Sequence, residues 1–347
     1  MGEGQSAVDG VWESPARAAA LARLALAPAS WGYGAVVALR NAAYDAGWLR
    51  SYPLALPAIS VGNLTVGGTG KTPVSAFIAA RLVERGARPA IVMRGYGGDE
   101  SLVHAKLNPG VPVIVAADRV LGAAHARAAG STVAVLDDAF QHRRARRDAD
   151  IVLLAADFGW GAALPRVRLL PAGPWREPLG ALRRASLIVV TRKRASRERA
   201  EEWLAHARTH APESGGAVVR LAADRLISWS SGESVDAALV RGQSVLAIAA
   251  IGDPLAFSGQ LEDIGAGVAV VAARDHHAYS AAEAVDLARR GAASDRIVCT
   301  LKDAVKLGPL WPREAPPLWY LSQRVVVESG ADALDRILTA VAGPKSS

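Results

Sequence analysis

Residues 59–73 read Ile59-Ser-Val-Gly-Asn-Leu-Thr-Val-Gly-Gly-Thr-Gly-Lys-Thr-Pro73, and this stretch decides the fold. An apolar strand runs into a glycine-rich turn, then Gly70-Lys71-Thr72, then an amphipathic segment that opens with Pro73. Gly67, Gly68 and Gly70 let backbone N–H groups converge on phosphate oxygens, and the helix that follows adds the positive end of its dipole. Lys71 is spaced to reach the β- and γ-phosphates, and the Thr72 hydroxyl to ligate Mg²⁺. The expected nucleotide cradle is therefore Thr65, Val66, Gly67, Gly68, Thr69, Gly70, Lys71 and Thr72. Thr65 departs from the consensus phosphate loop, which has glycine there.

Outward from this loop, short apolar runs alternate with helical stretches. Strands are expected at Ala58–Val61, Ala90–Met93, Val113–Val115, Val133–Leu136, Ile151–Leu154 and Leu187–Val190, with helices such as Val74–Arg85 and Arg119–Ala129 between them. That alternation predicts βαβ units and a parallel sheet covered on both faces. A second alternating set follows at Val245–Ala249, Val268–Val271, Ile297–Cys299 and Leu318–Leu321. The expected fold is α/β, a phosphate-loop NTPase-like, mainly parallel sheet lobe over 56–222 and a smaller C-terminal α/β lobe over 244–347. Residues 223–243 read as a connector between the lobes, and 1–55 as a separate helical segment.

Val133-Ala-Val-Leu-Asp137-Asp138 is an apolar strand ending in two carboxylates. Alone, such a pair also fits a helix cap; after a phosphate loop it reads as the metal-binding element, because strand C-termini of an open parallel sheet face the ligand crevice. Arg94 and Arg119 also follow expected strands and are candidates to clamp an anion, with a surface ion pair as the alternative. Gln141-His142 follows the aspartates toward the same crevice. The run His142-Arg-Arg-Ala-Arg-Arg147 reads as a solvated helix face or as a membrane- or substrate-attracting patch.

Of 347 residues, 51% are hydrophobic and 21% charged, which is a globular composition. A single cysteine, Cys299, excludes an intrachain disulfide framework and a cysteine-rich zinc site. The net charge of +7 favours an anionic partner. Basic residues are not interleaved with stacking aromatics, so nucleic acid is not the expected partner. Thr191-Arg-Lys-Arg194 lacks the aspartate with which GTPases select guanine.

The N-terminal segment carries three of the 9 Trp (Trp12, Trp31, Trp48) and three of the 6 Tyr (Tyr33, Tyr44, Tyr52), interspersed with Arg17, Arg23, Arg40 and Arg50. Its longest uncharged stretch, Leu24 to Leu39, is too short to span a bilayer, which takes about 20 apolar residues. Glu3, Asp9 and Glu13 stand where a signal peptide would be basic. The segment reads as a helix lying in a membrane interface, or as a helical hairpin packed on the core.

In these motifs the sequence resembles the tetraacyldisaccharide 4′-kinases of lipid A biosynthesis. The resemblance rests on the phosphate loop with its non-glycine position 65, on Arg94-Gly-Tyr-Gly-Gly98, Asp99-Glu100, Ala117-Asp-Arg119 and Asp137-Asp-Ala-Phe-Gln-His142. It continues through Leu170-Pro-Ala-Gly-Pro-Trp-Arg-Glu-Pro178, Ala250-Ile-Gly-Asp-Pro254, Asp275-His-His277 and Thr300-Leu-Lys-Asp-Ala-Val-Lys306, in family order from about residue 12 to 340. Two departures are a short segment before Asp99 and Ala139 in place of the family's usual glycine.

The resemblance implies transfer of the γ-phosphate of ATP to the 4′-hydroxyl of a tetraacylated glucosamine disaccharide 1-phosphate, with Mg²⁺. It implies Asp99 as proton acceptor, oriented by His276 from the C-terminal lobe, with the pair completed when two lobes close. Metal ligation is expected at Thr72 and Asp138, with Asp137 and Glu100 nearby, and substrate contacts at Arg94, Arg119, Gln141 and His142. A four-chain lipid hardly leaves the bilayer, so the resemblance also implies peripheral, monotopic attachment to an anionic surface, the cytoplasmic face of the inner membrane. The rivals are a phosphate-loop kinase or ligase acting on a soluble small molecule, and a nucleotide-dependent switch or chaperone.

Overall fold

The computed structural model of the protein describes residues 12, 14, 16–95, 98–157 and 167–342. In chain order the elements are α1 (Arg17–Asp45), β1 (Tyr52–Pro53), β2 (Ala58–Asn63), α2 (Lys71–Val83), β3 (Pro89–Met93), α3 (Asp99–Leu107), β4 (Val113–Val115), α4 (Arg119–Ala128), β5 (Val133–Asp137), β6 (Ala145–Arg146), β7 (Ala149–Ala155) and β8 (Leu187–Arg192). They continue with α5 (Arg197–Arg208), β9 (Gly215–Ser228), β10 (Ser234–Asp236), β11 (Ser244–Ala249), α6 (Pro254–Ile264), β12 (Gly267–Ala272), α7 (Ala281–Gly291), β13 (Arg296–Thr300), α8 (Leu301–Leu307), β14 (Leu318–Ser329) and α9 (Ala331–Ala342). Every strand expected from apolar runs is present. Two compact units result: a larger one from the described residues of 12–95, 104–220 and 327–342, and a smaller one from 98–103 and 221–326.

In the larger unit the strand order is β9-β8-β7-β2-β5-β3-β4, parallel throughout. All six residues of β2 are buried, as are all five of β3 and of β5. This explains their continuous apolar sequence, since a parallel strand covered on both faces has no polar side. The chain leaves β2 for β3, which lies beyond β5, and returns to β7 on the opposite flank of β2. The loop after β2 thus sits at the switch point of the winding, where open α/β sheets bind ligands. Gly62 on β2 is required there: a Cβ would stand 2.5 Å from the Phe140 Cβ and 2.9 Å from its N.

Of the N-terminal segment, residues 17–45 form the 29-residue helix α1, which runs through Pro28; whether a hairpin precedes it falls outside the described residues. Ala19, Ser30 and Val37 form its buried side. On the other side Leu21, Leu24, Trp31, Val36 and Leu39 are each two-thirds or more exposed. At the helical period these five span roughly 140° of the helix circumference. Among the described residues no helix is long and apolar enough to cross a membrane.

The smaller unit orders its strands β12-β11-β13-β14-β9, with β10 antiparallel to β9. β11, β12, β13 and β14 pair in parallel. Residues 223–243, read from sequence as a connector, form the end of β9, β10 and a short 3-10 turn of this unit. The C-terminal helix α9 belongs instead to the larger unit, where Asp335 pairs with Arg81 and Arg85 of the α2 region.

The packing around Gly62 yields a stability test. Gly62→Ala should lower the free energy of unfolding by about 1–3 kcal/mol, the usual cost of overpacking a core. Gly32→Ala, at a helical position where a Cβ meets nothing within 4 Å, should leave it unchanged or raise it by up to about 1 kcal/mol. Urea denaturation of both variants checks this; equal midpoints would refute the close approach of β2 and Phe140.

Candidate active site

The loop between β2 and α2 is clamped on three sides. Asn63 Nδ2 donates to Thr69 Oγ1 at 2.9 Å, and Thr191 Oγ1 from β8 donates to the Thr69 carbonyl at 3.0 Å. Val66 N donates to the Pro174 carbonyl at 2.8 Å, and Arg176 N to the Leu64 carbonyl at 2.7 Å. Thr65 is buried and forms an isolated antiparallel bridge with Trp175. That extended geometry explains why glycine is dispensable at position 65. Gly67 (φ +104°) and Gly70 (φ +81°) take left-handed conformations that favour glycine. Gly67 and Gly68 are exposed, while Lys71 and Thr72 are half-buried at the start of α2.

The two aspartates differ in what they do. Asp137 is buried, and both its oxygens are engaged: Ser75 Oγ donates to Oδ1 at 2.7 Å, and His104 Nε2 lies 3.1 Å from Oδ2. Burial works against its charge, but the His104 hydrogen bond and charge, the Ser75 hydroxyl and Lys71 together hold the carboxyl below its ordinary range. Asp138 is about one-third exposed and lies 3.9 Å from Lys71 Nζ. Both its oxygens stand 3.1 Å from Arg176 Nη1. It adopts φ +48°, and Ala139 is not left-handed. The turn's conformationally demanding residue is therefore Asp138 itself, a residue type that tolerates this region, and an alanine at 139 costs nothing.

The remaining candidates divide between lining and bracing. Arg94 is exposed at the end of β3; its neighbours Tyr96 and Gly97 lie outside the described residues. Arg119 is only 2% exposed and donates to the carbonyls of Ala116, Ala117 and Asp137, so it braces the turn that carries the aspartates. Gln141 Nε2 donates to the Asn63 carbonyl at 2.8 Å, tying the Asp-Asp turn to the end of β2. His142 is half-buried, and burial first, then the guanidinium of Arg119, holds its imidazole below the ordinary value. The arginines after it form no helix face. Arg143 donates to Asn41 O and Asp45, Arg144 lies over the Tyr52 ring, and Arg147 binds Asp150 and three carbonyls.

Asp99 and Glu100 open α3 in the smaller unit, which also holds His276. His276 Nδ1 lies 3.1 Å from each oxygen of Asp99. The pair therefore forms within one unit, and closure of two lobes is not needed to assemble it. With Nδ1 directed at the Asp99 carboxylate, that nitrogen is the donor, and Nε2 lies 3.9 Å from Asp275 Oδ2. The Asp99 side chain is 2% exposed and that of His276 37%, so the imidazole is the accessible end of the pair. Like Asp138, His276 has a left-handed backbone, φ +58°; these are the two such non-glycine residues among those described. Glu100 Oε1 faces Lys302 Nζ at 3.5 Å.

Sequence reasoning missed Arg176, His104 and Ser75. Arg176 lies within the quoted stretch 170–178, but no strand precedes it to aim it at the crevice. His104 and Ser75 sit on helices as ordinary polar residues, and only the fold brings them to Asp137. Among the described residues, no group of three or more His, Cys, Asp or Glu could enclose a metal ion. The oxygen donors present, Asp138 and Thr72, suit Mg²⁺ that completes its coordination with water and phosphate.

Comparison with known proteins shows the family of the chain. Residues 22–342 match the family profile described as tetraacyldisaccharide-1-P 4′-kinase. A tetraacyldisaccharide 4′-kinase of Anaeromyxobacter dehalogenans is 38% identical, covering 96% of this chain and 95% of its own length. That of Syntrophus aciditrophicus is 36% identical over 84% and 85%. The crystal structure of LpxK from Aquifex aeolicus in complex with ATP superposes with a TM-score of 0.67 at 28% identity, covering 91% of this chain and 99% of that one. The chain belongs to the tetraacyldisaccharide-1-P 4′-kinase family, enzymes that phosphorylate the lipid A precursor at its 4′ position with ATP.

Proposed function

We propose that this kinase works at a membrane surface with Mg²⁺, taking a tetraacylated glucosamine disaccharide 1-phosphate as acceptor and dividing the chemistry between two sets of residues. The observation that carries the reading is the convergence of Lys71, Asp138 and Arg176 beside the glycine turn of the phosphate loop. Residues 65–72 hold the triphosphate, with backbone N–H groups from Gly67 to Gly70 and the Lys71 ammonium on its oxygens. Thr72 and Asp138 are the ligands for Mg²⁺, which when bound neutralises charge developing on the β- and γ-phosphates. Asp137, locked by Ser75 and His104, fixes the turn from behind.

The 4′-hydroxyl is a weak nucleophile near neutral pH. As its oxygen bonds to the γ-phosphorus and the bridge to the β-phosphate breaks, ADP leaves and the hydroxyl proton passes to the Asp99–His276 pair. Arg94, exposed at a strand end, remains the candidate contact for the substrate's phosphate. The domains follow the same division: a phosphate-loop unit, and a unit that brings the proton acceptor.

The exposed apolar stripe of α1 supports peripheral membrane attachment. Contiguous apolar surface on a helix that cannot span a bilayer suits a position in the headgroup boundary. The net positive charge adds attraction to anionic lipid, about 1 kcal/mol per basic residue near the surface. Because ATP is cytosolic, the face concerned is the cytoplasmic one.

Three outcomes test this reading. Transfer from γ-labelled ATP to the disaccharide lipid in micelles should fall roughly 10²–10³-fold in Lys71→Ala. It should stop in EDTA and return with Mg²⁺; undiminished transfer in either case removes the phosphate-loop assignment. Asp99→Asn and His276→Ala should each lower kcat by roughly 10²–10⁴-fold without weakening ATP binding; near-normal turnover would show that the proton goes elsewhere. Replacing Leu24 and Trp31 together by Asp should release the protein from anionic vesicles in a sedimentation assay, and continued co-sedimentation would place the membrane contact outside α1.

A further inference from the structure

A half-buried lysine behind the Asp99–His276 pair, its ammonium nitrogen turned inward, has no evident structural purpose. Lys306, on α8, directs its Nζ to within 3.8 Å of Asp99 Oδ2 and 3.8 Å of Asp303 Oδ1, and lies 5.5 Å from the Tyr279 ring centroid. The ammonium nitrogen is buried and makes no hydrogen bond among the described residues. A desolvated charge held without hydrogen bonds is costly and calls for a reason.

Asp303 does not supply one, because its carboxylate is already saturated. It accepts from Ala250 N at 3.1 Å on each oxygen, from Tyr279 Oη at 3.0 Å and from Thr300 Oγ1 at 2.6 Å, and burial pushes its carboxyl up. These bonds fix Asp303, and the Thr300 cap fixes the start of α8. Lys302 and Lys306, one turn apart, then face Glu100 and Asp99, which are consecutive. Asp99 is nearly inaccessible, and besides the His276 imidazole the one basic side chain within 4 Å of it among the described residues is Lys306.

We infer that Lys306 is a positioning residue for phosphoryl transfer: its ammonium, propped by Asp303, holds the Asp99 carboxylate in place so that Asp99 in turn holds the His276 imidazole. The Thr300-Leu-Lys-Asp-Ala-Val-Lys306 stretch thus becomes a support for the proton acceptor. The lysine touches no substrate and acts through Asp99. This rests on the proposed role of the Asp99–His276 pair and deepens it.

The test is a double-mutant cycle on the full chain, with kcat, KM for ATP and thermal midpoint measured for each protein. Lys306→Met should lower kcat 30-fold or more while KM for ATP stays within threefold and a non-hydrolysable ATP analogue still binds one per chain. Lys306→Arg should restore part of kcat. In an Asp99→Asn background, Lys306→Met should cause no further loss, since the group it acts through is already disabled. An undiminished kcat in Lys306→Met, or losses that multiply in the double variant, would overturn the inference and leave a merely structural ion pair. A fall in binding stoichiometry matching the fall in kcat would do the same, because it reports misfolding. If Asp99→Asn alone keeps full activity, the assignment of the pair fails first, and that result is separable from the others.

Discussion

The carboxylate of Asp138 is where the larger unit is tied together. Its ion pairs with Lys71 and Arg176 join the phosphate loop, the end of β5 and the 167–178 stretch, which are remote in sequence. One third of the side chain is exposed, so the pairs are neither fully screened nor fully desolvated. Around this point the architecture supplies what the ion pairs need. Gly62 lets the Asp-Asp turn approach β2, Asp137 is pinned from behind, and Arg119 satisfies the carbonyls of the turn.

Among the described residues, the two non-glycine residues with left-handed backbone, Asp138 and His276, fall one in each proposed set of site residues. Such conformations persist only where the surroundings over-determine them. For Asp138 the surroundings are Lys71, Arg176 and the hydrogen bond from its own N–H to the Val61 carbonyl. For His276 they are Asp99 and a bond from its N–H to Asp275 Oδ1. Each residue is thereby held with its functional atoms directed outward from a rigid base.

Much of this was legible before any coordinates. Continuous apolar runs identify buried parallel strands because both faces of the sheet are covered, and those from Ala58 to Leu321 were found that way. β9 escaped because Gly215-Gly216 opens it and Arg220, Asp224 and Arg225 interrupt it, so it has no clean period. The phosphate loop was readable as a local motif whose residues are adjacent in sequence. The Asp99–His276 bond joins positions 177 residues apart, and no spacing rule connects them; only likeness to a family did. Arg176 and His104 were invisible for the same reason, since their partners are set by tertiary packing. Arg119 shows another limit: a cation after a strand reads as a ligand-binding group, and sequence alone gives no sign that this one also donates to backbone carbonyls.

Helix α1 does not merely lie on the surface. Ser30 Oγ donates to the carbonyls of Leu169 and Leu170, Tyr33 Oη to that of Arg176, and Asn41 Nδ2 to Glu177, a fully buried carboxylate that also pairs with Arg40 and Arg184. The helix therefore cannot simply be clipped away for crystallisation or inhibitor screening. Truncation would strip Glu177 of two partners and remove the bonds that hold the segment bearing Trp175 and Arg176. Resurfacing the outward stripe with polar side chains, while keeping the inward face, is the engineering route that this packing permits.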